Sequence, residues 1–175
     1  FPENPQAIDL MIAFPFKKAE IYAFLRAQAK DDETASGEGA MAMPAGYLFN
    51  EVGEDADDDE DVIETGIAAM DAAGVASGLF NVSEQSIEAK RRYPDRIHFS
   101  LEVDPNDIGG AVAAIRTAHA AHGIKAVTSF PAGCNPQVPI SDRRYYPIYQ
   151  TCVDLGIPIC LTAGVPGPRV PGDCQ

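Results

Sequence analysis

The sequence predicts an α/β fold built on a parallel sheet. Two features carry that reading. Five short apolar runs are each followed or preceded by a segment whose apolar residues recur at helical spacing. Glycines and turn residues separate the two kinds of segment. Strands that alternate with helices in this way pair in parallel, with the helices packed on the sheet.

The elements follow in order. Ala7 to Ala13 is short, nearly all apolar and bounded by prolines, which suits a strand buried on both faces. A helix is expected over about residues 16–30, where Ile21, Phe24, Leu25 and Gln28 share a face, and it stops at the acidic, glycine-containing stretch from Asp31 to Gly39. Residues 51–64 carry nine acids (Glu51, Glu54, Asp55, Asp57, Asp58, Asp59, Glu60, Asp61, Glu64) and no base. They read as a solvated loop inserted ahead of a helix whose N-terminus favours negative charge. A calcium loop of the EF-hand type starting at Asp55 would need glycine and glutamate where Glu60 and Gly66 stand, so its spacing fails.

Ile63, Ile67 and Met70 mark the face of a helix ending near Gly74, and Val75 to Val82 reads as the second strand. A helix from Ser83 to Arg92 leads to the strand Arg96 to Val103. Ile108, Ala111, Val112, Ile115, Ala118, His119 and His122 lie on one helical face, which Gly123 stops before the strand Ile124 to Phe130. Ser141 or Asp142 caps a helix to about Leu155, and Gly156 introduces the fifth strand, Ile157 to Thr162. Two architectures fit this alternation: an open doubly wound sheet, or the first five units of a (β/α)8 barrel, which in full takes about 250 residues. The open sheet would be expected to carry a glycine-rich phosphate loop after strand one, but Phe14-Pro15-Phe16-Lys17-Lys18 follows there.

Composition narrows the function. With 13 bases against 26 acids the net charge is −13, which argues against nucleic acid or an anionic membrane surface as a partner. No apolar run approaches the roughly 18 to 20 residues that span a bilayer. Four cysteines in 175 residues form no C-x-x-C pair and no disulfide scaffold, so a reducing cytoplasm is the expected compartment. Cys152 and Cys160 sit in apolar runs and read as small core residues. The chain begins Phe1-Pro2-Glu3 without methionine or an export signal, as expected of a processed chain or a piece of a longer protein.

In either architecture, chemistry is expected at the carboxyl ends of the strands. That rule promotes Ala13 to Pro15, Asn81 to Ser83, Glu102 to Asp104, Ser129 to Cys134, and Thr162 to Arg169. His119 and His122 have metal-ligand spacing, but they close a helix at the opposite edge and read as cations beside its dipole. Lys125 opens its strand at that same far edge, and His98 lies early in its strand as a buried, hydrogen-bonded residue. Asp104-Pro105-Asn106-Asp107 reads as a turn and helix cap. Glu102 is left as the strand-end carboxylate that capping does not explain, a candidate general base. Arg169, after the stiff loop Gly164 to Pro168, is equally suited to gripping a carboxylate or to standing as an ordinary surface arginine.

Several segments together resemble a known family. They are Ile8-Asp9-Leu10-Met11-Ile12-Ala13-Phe14-Pro15, Tyr93-Pro94-Asp95-Arg96, Gly123-Ile124-Lys125-Ala126-Val127, and above all Pro139-Ile140-Ser141-Asp142-Arg143-Arg144-Tyr145-Tyr146-Pro147-Ile148-Tyr149 followed by Leu155-Gly156-Ile157-Pro158-Ile159. This pattern is similar to the amidohydrolase-related family that includes aminocarboxymuconate-semialdehyde decarboxylase. The resemblance covers the chain apart from the acidic insert. It implies that residues 1–175 form one domain, a (β/α)8 TIM-type barrel represented by its first five strand–helix units. It also implies a hydrolase or non-oxidative decarboxylase acting on a small carboxylated compound. A barrel that kept the fold and lost catalysis, serving as a binding or assembly partner, is the alternative.

The departures from the family bear on its metal. Its strand-one histidine pair corresponds to Met11 and Ala13, and its strand-five histidine to Thr162. A thioether, a methyl group and a hydroxyl do not replace three imidazoles on zinc. No metal ligand or other cofactor is therefore expected in this part of the chain; a divalent ion would need ligands beyond residue 175. The expected site consists of Glu102 as the catalytic carboxylate, with Phe130, Thr162 and Arg169 against the substrate. The expected partners are a small molecule and, through the open barrel edges, further copies of the chain.

Overall fold

The computed structural model describes residues 6–14 and 61–163. The expected helix over 16–30, most of the acidic insert, Arg169 and Cys174 lie outside them.

The described elements are β1 (Ala7–Asp9), α1 (Val62–Ala72), β2 (Val75–Asn81), α2 (Glu84–Arg92), β3 (Ile97–Glu102), α3 (Ile108–His122), β4 (Ala126–Ser129), α4 (Tyr146–Leu155) and β5 (Ile159–Leu161). Single 3-10 turns at Pro131–Gly133 and Arg143–Tyr145 interrupt the connection from β4 to α4.

Helix ends follow the chemistry of their sequences. Asp61 accepts from the N–H groups of Ile63 and Glu64 and caps α1. Ser83 and Ser86 exchange hydrogen bonds as a capping box on α2. Asp107 caps α3 through the Gly110 N–H, and α3 and α4 stop at Gly123 (φ 61°) and Gly156 (φ 66°), left-handed positions that only glycine adopts without strain. Between α1 and α2, Arg92 pairs with Asp61 at 3.0 Å and also with Glu64, whose carboxylate accepts from the Tyr93 hydroxyl. The last acids of the insert are thus engaged at a helix start.

All five strands are parallel and their order in space is their order in sequence, β1-β2-β3-β4-β5. The doubly wound alternative needs a reversal of strand order and helices on both faces. Neither is present among the described residues. Phe80, Ile97, Phe99, Val103 and Val127 form one apolar cluster with Ile63, Ile67 and Met70 of α1, Ala89 of α2, Ala111, Ile115 and Ala118 of α3, and Ile148 and Cys152 of α4. Four helices therefore cover one face of the sheet, which curls into an incomplete barrel with the helices outside.

Alternation along the strands then assigns the inner face. Phe99 meets the His122 ring of α3 edge-on, so Ile97, Phe99 and Leu101 face the helices. His98, Ser100 and Glu102 face the concave side. Register extends the assignment, because paired residues share a face: Leu79 with His98, Asn81 with Ser100, and Glu102 with Thr128 and Cys160.

Strand one differs from its sequence expectation. It is three residues long rather than running to Ala13, because the Asp9 carboxylate accepts the Met11 N–H (2.9 Å) and bends the chain out of the ladder. It is not buried on both faces either: Ile8, Leu10 and Met11 are 65%, 61% and 80% exposed. Beyond the bend, Phe14 stacks on Phe80 with ring centroids 4.6 Å apart, and Ile12 packs beside it. Among the described residues β1 and β5 each pair on one side only and form the two edges of the sheet, as the barrel reading requires.

Open edges and exposed apolar side chains favour self-association. The isolated 175-residue chain is expected to form oligomers whose mass rises with concentration in light scattering. A monodisperse monomer that unfolds cooperatively would contradict that expectation.

Candidate active site at the strand ends

The carboxyl ends of β3, β4 and β5 form one corner of the sheet. Glu102 is the last residue of β3, and its carboxylate is exposed. Its N–H donates to Asn81 Oδ1 at 2.9 Å, so a side chain takes over the β2–β3 ladder at the point where β2 turns into α2. Asn81 is itself pinned by its carbonyl, which accepts from Ser86 Oγ of the capping box (2.8 Å). Thr128 stands beside Glu102 on the inner face, with Cys160 one strand further.

Ser129 pairs with Leu161, and its carbonyl accepts the Thr162 N–H at 3.0 Å. Thr162 is therefore tied beside the end of β4, next in register to Phe130. Thr162 is exposed, whereas Phe130 is half-buried with its ring over Gly133, where a Cβ would collide with it. The structure thus brings three of the sequence candidates, Glu102, Phe130 and Thr162, to one corner. Arg169 is outside the described residues. Met11 and Ala13 project away from the core beside Ile12 and Phe14, at the carboxyl end of β1 and four strands from Thr162.

A hydrogen-bonded frame holds this corner, and most of it was not legible in the sequence. Ser129 Oγ donates to the Val103 carbonyl at 2.9 Å. With that proton committed, the Tyr145 hydroxyl is the donor in the 2.9 Å contact between Tyr145 and Ser129, both fully buried. Tyr145 stacks on Tyr149 (centroids 5.3 Å apart), whose hydroxyl donates to the Ile140 carbonyl at 2.6 Å. Arg144 donates to both oxygens of Asp142 and to Asn106 Oδ1 (2.8 Å), and Asn106 Nδ2 donates to the Pro136 carbonyl (2.8 Å). The loop from β4 to α4 is thereby fastened to the turn after β3. The motif around Asp142, Arg144 and Tyr149 was visible in sequence, but its partners lie 16 to 38 residues away for the Tyr145 and Arg144 bonds.

Other candidates settle into structural roles. Asp104 Oδ1 accepts the Asn106 N–H (2.8 Å), and Asp107 caps α3. His119 and His122 close α3, and Lys125 donates its N–H to the Phe99 carbonyl at the far edge. His98 is half-buried rather than fully buried; burial first, then the charges of Lys90 and Lys125, hold its imidazole below the usual value. Burial pushes the Cys152 thiol up, consistent with an inert core residue.

Among the described residues no group of three or more His, Cys, Asp or Glu is placed to hold a metal ion. Met11, Ala13 and Thr162 supply no nitrogen or carboxylate donor, so the strand-one and strand-five positions do not fit the zinc or manganese chemistry of an imidazole site.

The amidohydrolase family's sequence profile matches residues 15–173, nearly the whole chain. The chain belongs to the amidohydrolase family. No curated protein matches it significantly. Among solved structures it is similar to 5-carboxyvanillate decarboxylase of Novosphingobium aromaticivorans, at 17% identity and a TM-score of 0.62 over 95% of this chain and 53% of that one. A second crystal structure of that decarboxylase, with manganese and 4-hydroxy-3-methoxy-5-nitrobenzoic acid, gives 16% identity and the same TM-score of 0.62. An uncharacterised TIM-barrel protein of Bordetella bronchiseptica follows at 21% identity and a TM-score of 0.57, over 93% of this chain and 57% of that one. At these identities the likeness shows the fold, a TIM barrel of which this chain spans about half the length. Among the described residues of this amidohydrolase-family chain, no helix is long and apolar enough to cross a membrane.

Two outcomes test the frame. Tyr145→Phe removes one buried hydrogen bond and is expected to cost about 1 kcal/mol in denaturant unfolding. The second concerns acid. The Arg144 guanidinium, with the Arg144 N–H, holds the Asp142 carboxyl down at about 2, against an ordinary 3.8. A carboxyl lowered in the folded state stabilises above its unfolded value and loses that contribution as pH falls through the folded value. The stability gap between wild type and Asp142→Asn should therefore hold above pH 4 and shrink between about pH 4 and 2 in a series of melts. A gap independent of pH would show that the pair contributes nothing as an ion pair.

Proposed function

We propose that this chain belongs to a hydrolase or non-oxidative decarboxylase that acts on a small carboxylated compound at the carboxyl ends of its barrel strands. The observation that carries the proposal is an amidohydrolase-family barrel in which Glu102 ends β3 with its backbone fastened and its carboxylate unengaged among the described residues. Membership of the family and the fold shared with a decarboxylase support the reaction class.

In this reading Glu102 is the general base or acid, placed to exchange a proton with water or with the carbon that loses carboxylate. Phe130 offers a flat apolar surface to the substrate body and Thr162 a hydroxyl at its rim. Arg169 grips the substrate carboxylate, because a guanidinium forms two parallel hydrogen bonds with it. The described residues form no site for a metal, and in this reading the proton transfer is carried by Glu102. The partner in this reading is a small molecule, and further copies of the chain meet the exposed edges.

Two substitutions in the full-length protein test the assignment. Glu102→Gln keeps the shape and removes the proton-accepting charge, so kcat is expected to fall by 100-fold or more, on the order of a general base's usual contribution. Arg169→Ala is expected to raise KM with little change in kcat. A Glu102→Gln enzyme with undiminished turnover would move catalysis to residues outside this chain.

A further inference from the structure

The inner face beside Glu102 carries a second polar group with a fixed direction. Asn81 ends β2, is exposed, and shares the concave face with Glu102. Its side-chain amide has one orientation only, because the group facing the Glu102 N–H must be an acceptor. Turning the amide over would set two donors against each other. Oδ1 is therefore held against Glu102, and Nδ2 is left as a directed donor with no protein partner among the described residues. The Glu102 carboxylate next to it is a pure acceptor, and adjacent strands are only about 4.8 Å apart. The Thr128 hydroxyl stands on the other side of Glu102 in the same register row. Among the described residues, no lysine or arginine stands on this face at the carboxyl ends of β2, β3 and β4.

A donor and an acceptor about one strand apart, with a negative charge and no facing cation among the described residues, select at this point against an anion and for a neutral group that accepts at one atom and donates at the next. We propose that Asn81 and Glu102 form a two-point site for such a group. Its smallest form is a carboxamide, whose oxygen accepts from Asn81 Nδ2 while its N–H donates to Glu102, with the attached apolar body lying towards Phe130. This deepens the proposed function in its hydrolase form, in which Glu102 acts on water, and rests on its placing of substrate at this corner: the substrate carries a neutral hydrogen-bonding end here, and its carboxylate lies at the other end, away from Glu102. Asn81 acts twice, as the positioning residue for Glu102 and as the donor that reads the substrate.

The two roles separate by substitution. Asn81→Asp keeps an oxygen to accept the Glu102 N–H but removes the donor. Glu102→Leu removes the acceptor. Titration of the full-length protein with benzamide and with benzoate, followed by calorimetry or ligand-observed magnetic resonance, reads the outcome without requiring turnover. Wild type is expected to bind benzamide saturably. Asn81→Asp and Glu102→Leu should each weaken benzamide at least tenfold, and Asn81→Asp should change benzoate by less than twofold, with thermal midpoints close to wild type. An Asn81→Asp variant that binds benzamide as wild type does would overturn the site, and so would an equal loss for benzoate or the absence of saturable benzamide binding by wild type. If Asn81→Asp unfolds, Asn81→Ser, which keeps a small polar group, takes its place under the same criteria. The expected binding pattern in a protein that turns nothing over would support the two-point site and defeat the proposed reaction. Turnover with benzamide binding indifferent to Asn81 would do the reverse.

Discussion

The placing of the four described helices on one side of a parallel sheet is the constraint on which the rest of this molecule depends. A parallel strand followed by a helix returns to the same edge of the sheet, and successive right-handed crossovers that advance in one direction keep the helices on one face. The apolar residues at alternate strand positions, from Phe80 through Ile97, Phe99 and Val103 to Val127, supply that face with its core. The other alternation, Leu79, Asn81, His98, Ser100, Glu102 and Thr128, is then free of packing duty against helices. Chemistry can occupy it because stability does not. Burying an apolar side chain contributes about 1.5 to 3 kcal/mol, and here that contribution comes from the outer face, so polar groups on the inner one do not displace it.

The carboxyl edge gains its rigidity from a different source. Loops leaving strand ends are exposed and would be mobile if only their own residues held them. Here the turn after β3 and the connection from β4 to α4 hold each other, through Arg144 on Asn106 and through Asn106 on the Pro136 carbonyl. Tyr145 and Ser129 fix the base of the same connection from below, in a fully buried hydrogen bond that leads on to the Val103 carbonyl. Glu102 immediately precedes Val103. The residue assigned to proton transfer is therefore anchored from both neighbours in the chain and in space: Asn81 holds its N–H, and Ser129 holds the carbonyl of the next residue. A general base needs that precision more than it needs burial, since misplacement by an ångström costs far more rate than a modest change in its proton affinity.

Much of the fold was legible in the sequence because its signals are local. Ile63, Ile67 and Met70 at helical spacing, Ser83 and Asp107 as caps, and Gly123 and Gly156 as stops each act within a few residues, and α1 to α3 appear where those signals put them. The fourth helix stops at Gly156 as expected but starts at Tyr146, because Asp142 caps a separate 3-10 turn, Arg143–Tyr145, ahead of it. Strand ends were less legible. Strand one was expected to reach Ala13, but a single carboxylate, Asp9, competes for the Met11 N–H and ends the ladder early. Its apolar composition suggested burial on both faces, whereas an edge strand of an incomplete barrel has a neighbour on one side only. The choice between an open sheet and a barrel was undecidable from periodicity, because both present the same alternation. It turned on where the helices lie, which is a property of packing.

The candidate site divides along the same line. Glu102 was legible by elimination, as a strand-end acid that neither caps a helix nor closes a turn. Asn81 stood among the strand-end residues but carried no signal of its own. What distinguishes it is the identity of its partner, the N–H of a residue 21 positions away in a neighbouring strand. That partner turns an amide of two interchangeable faces into one with a fixed donor. A backbone donor reveals nothing of itself in a sequence, since every residue except proline has one; only the fold decides which side chain it meets. In the proposed site, recognition therefore rests on a juxtaposition of β2 and β3 that no motif encodes, while the proton chemistry proposed for Glu102 depends on a residue type that a motif can carry.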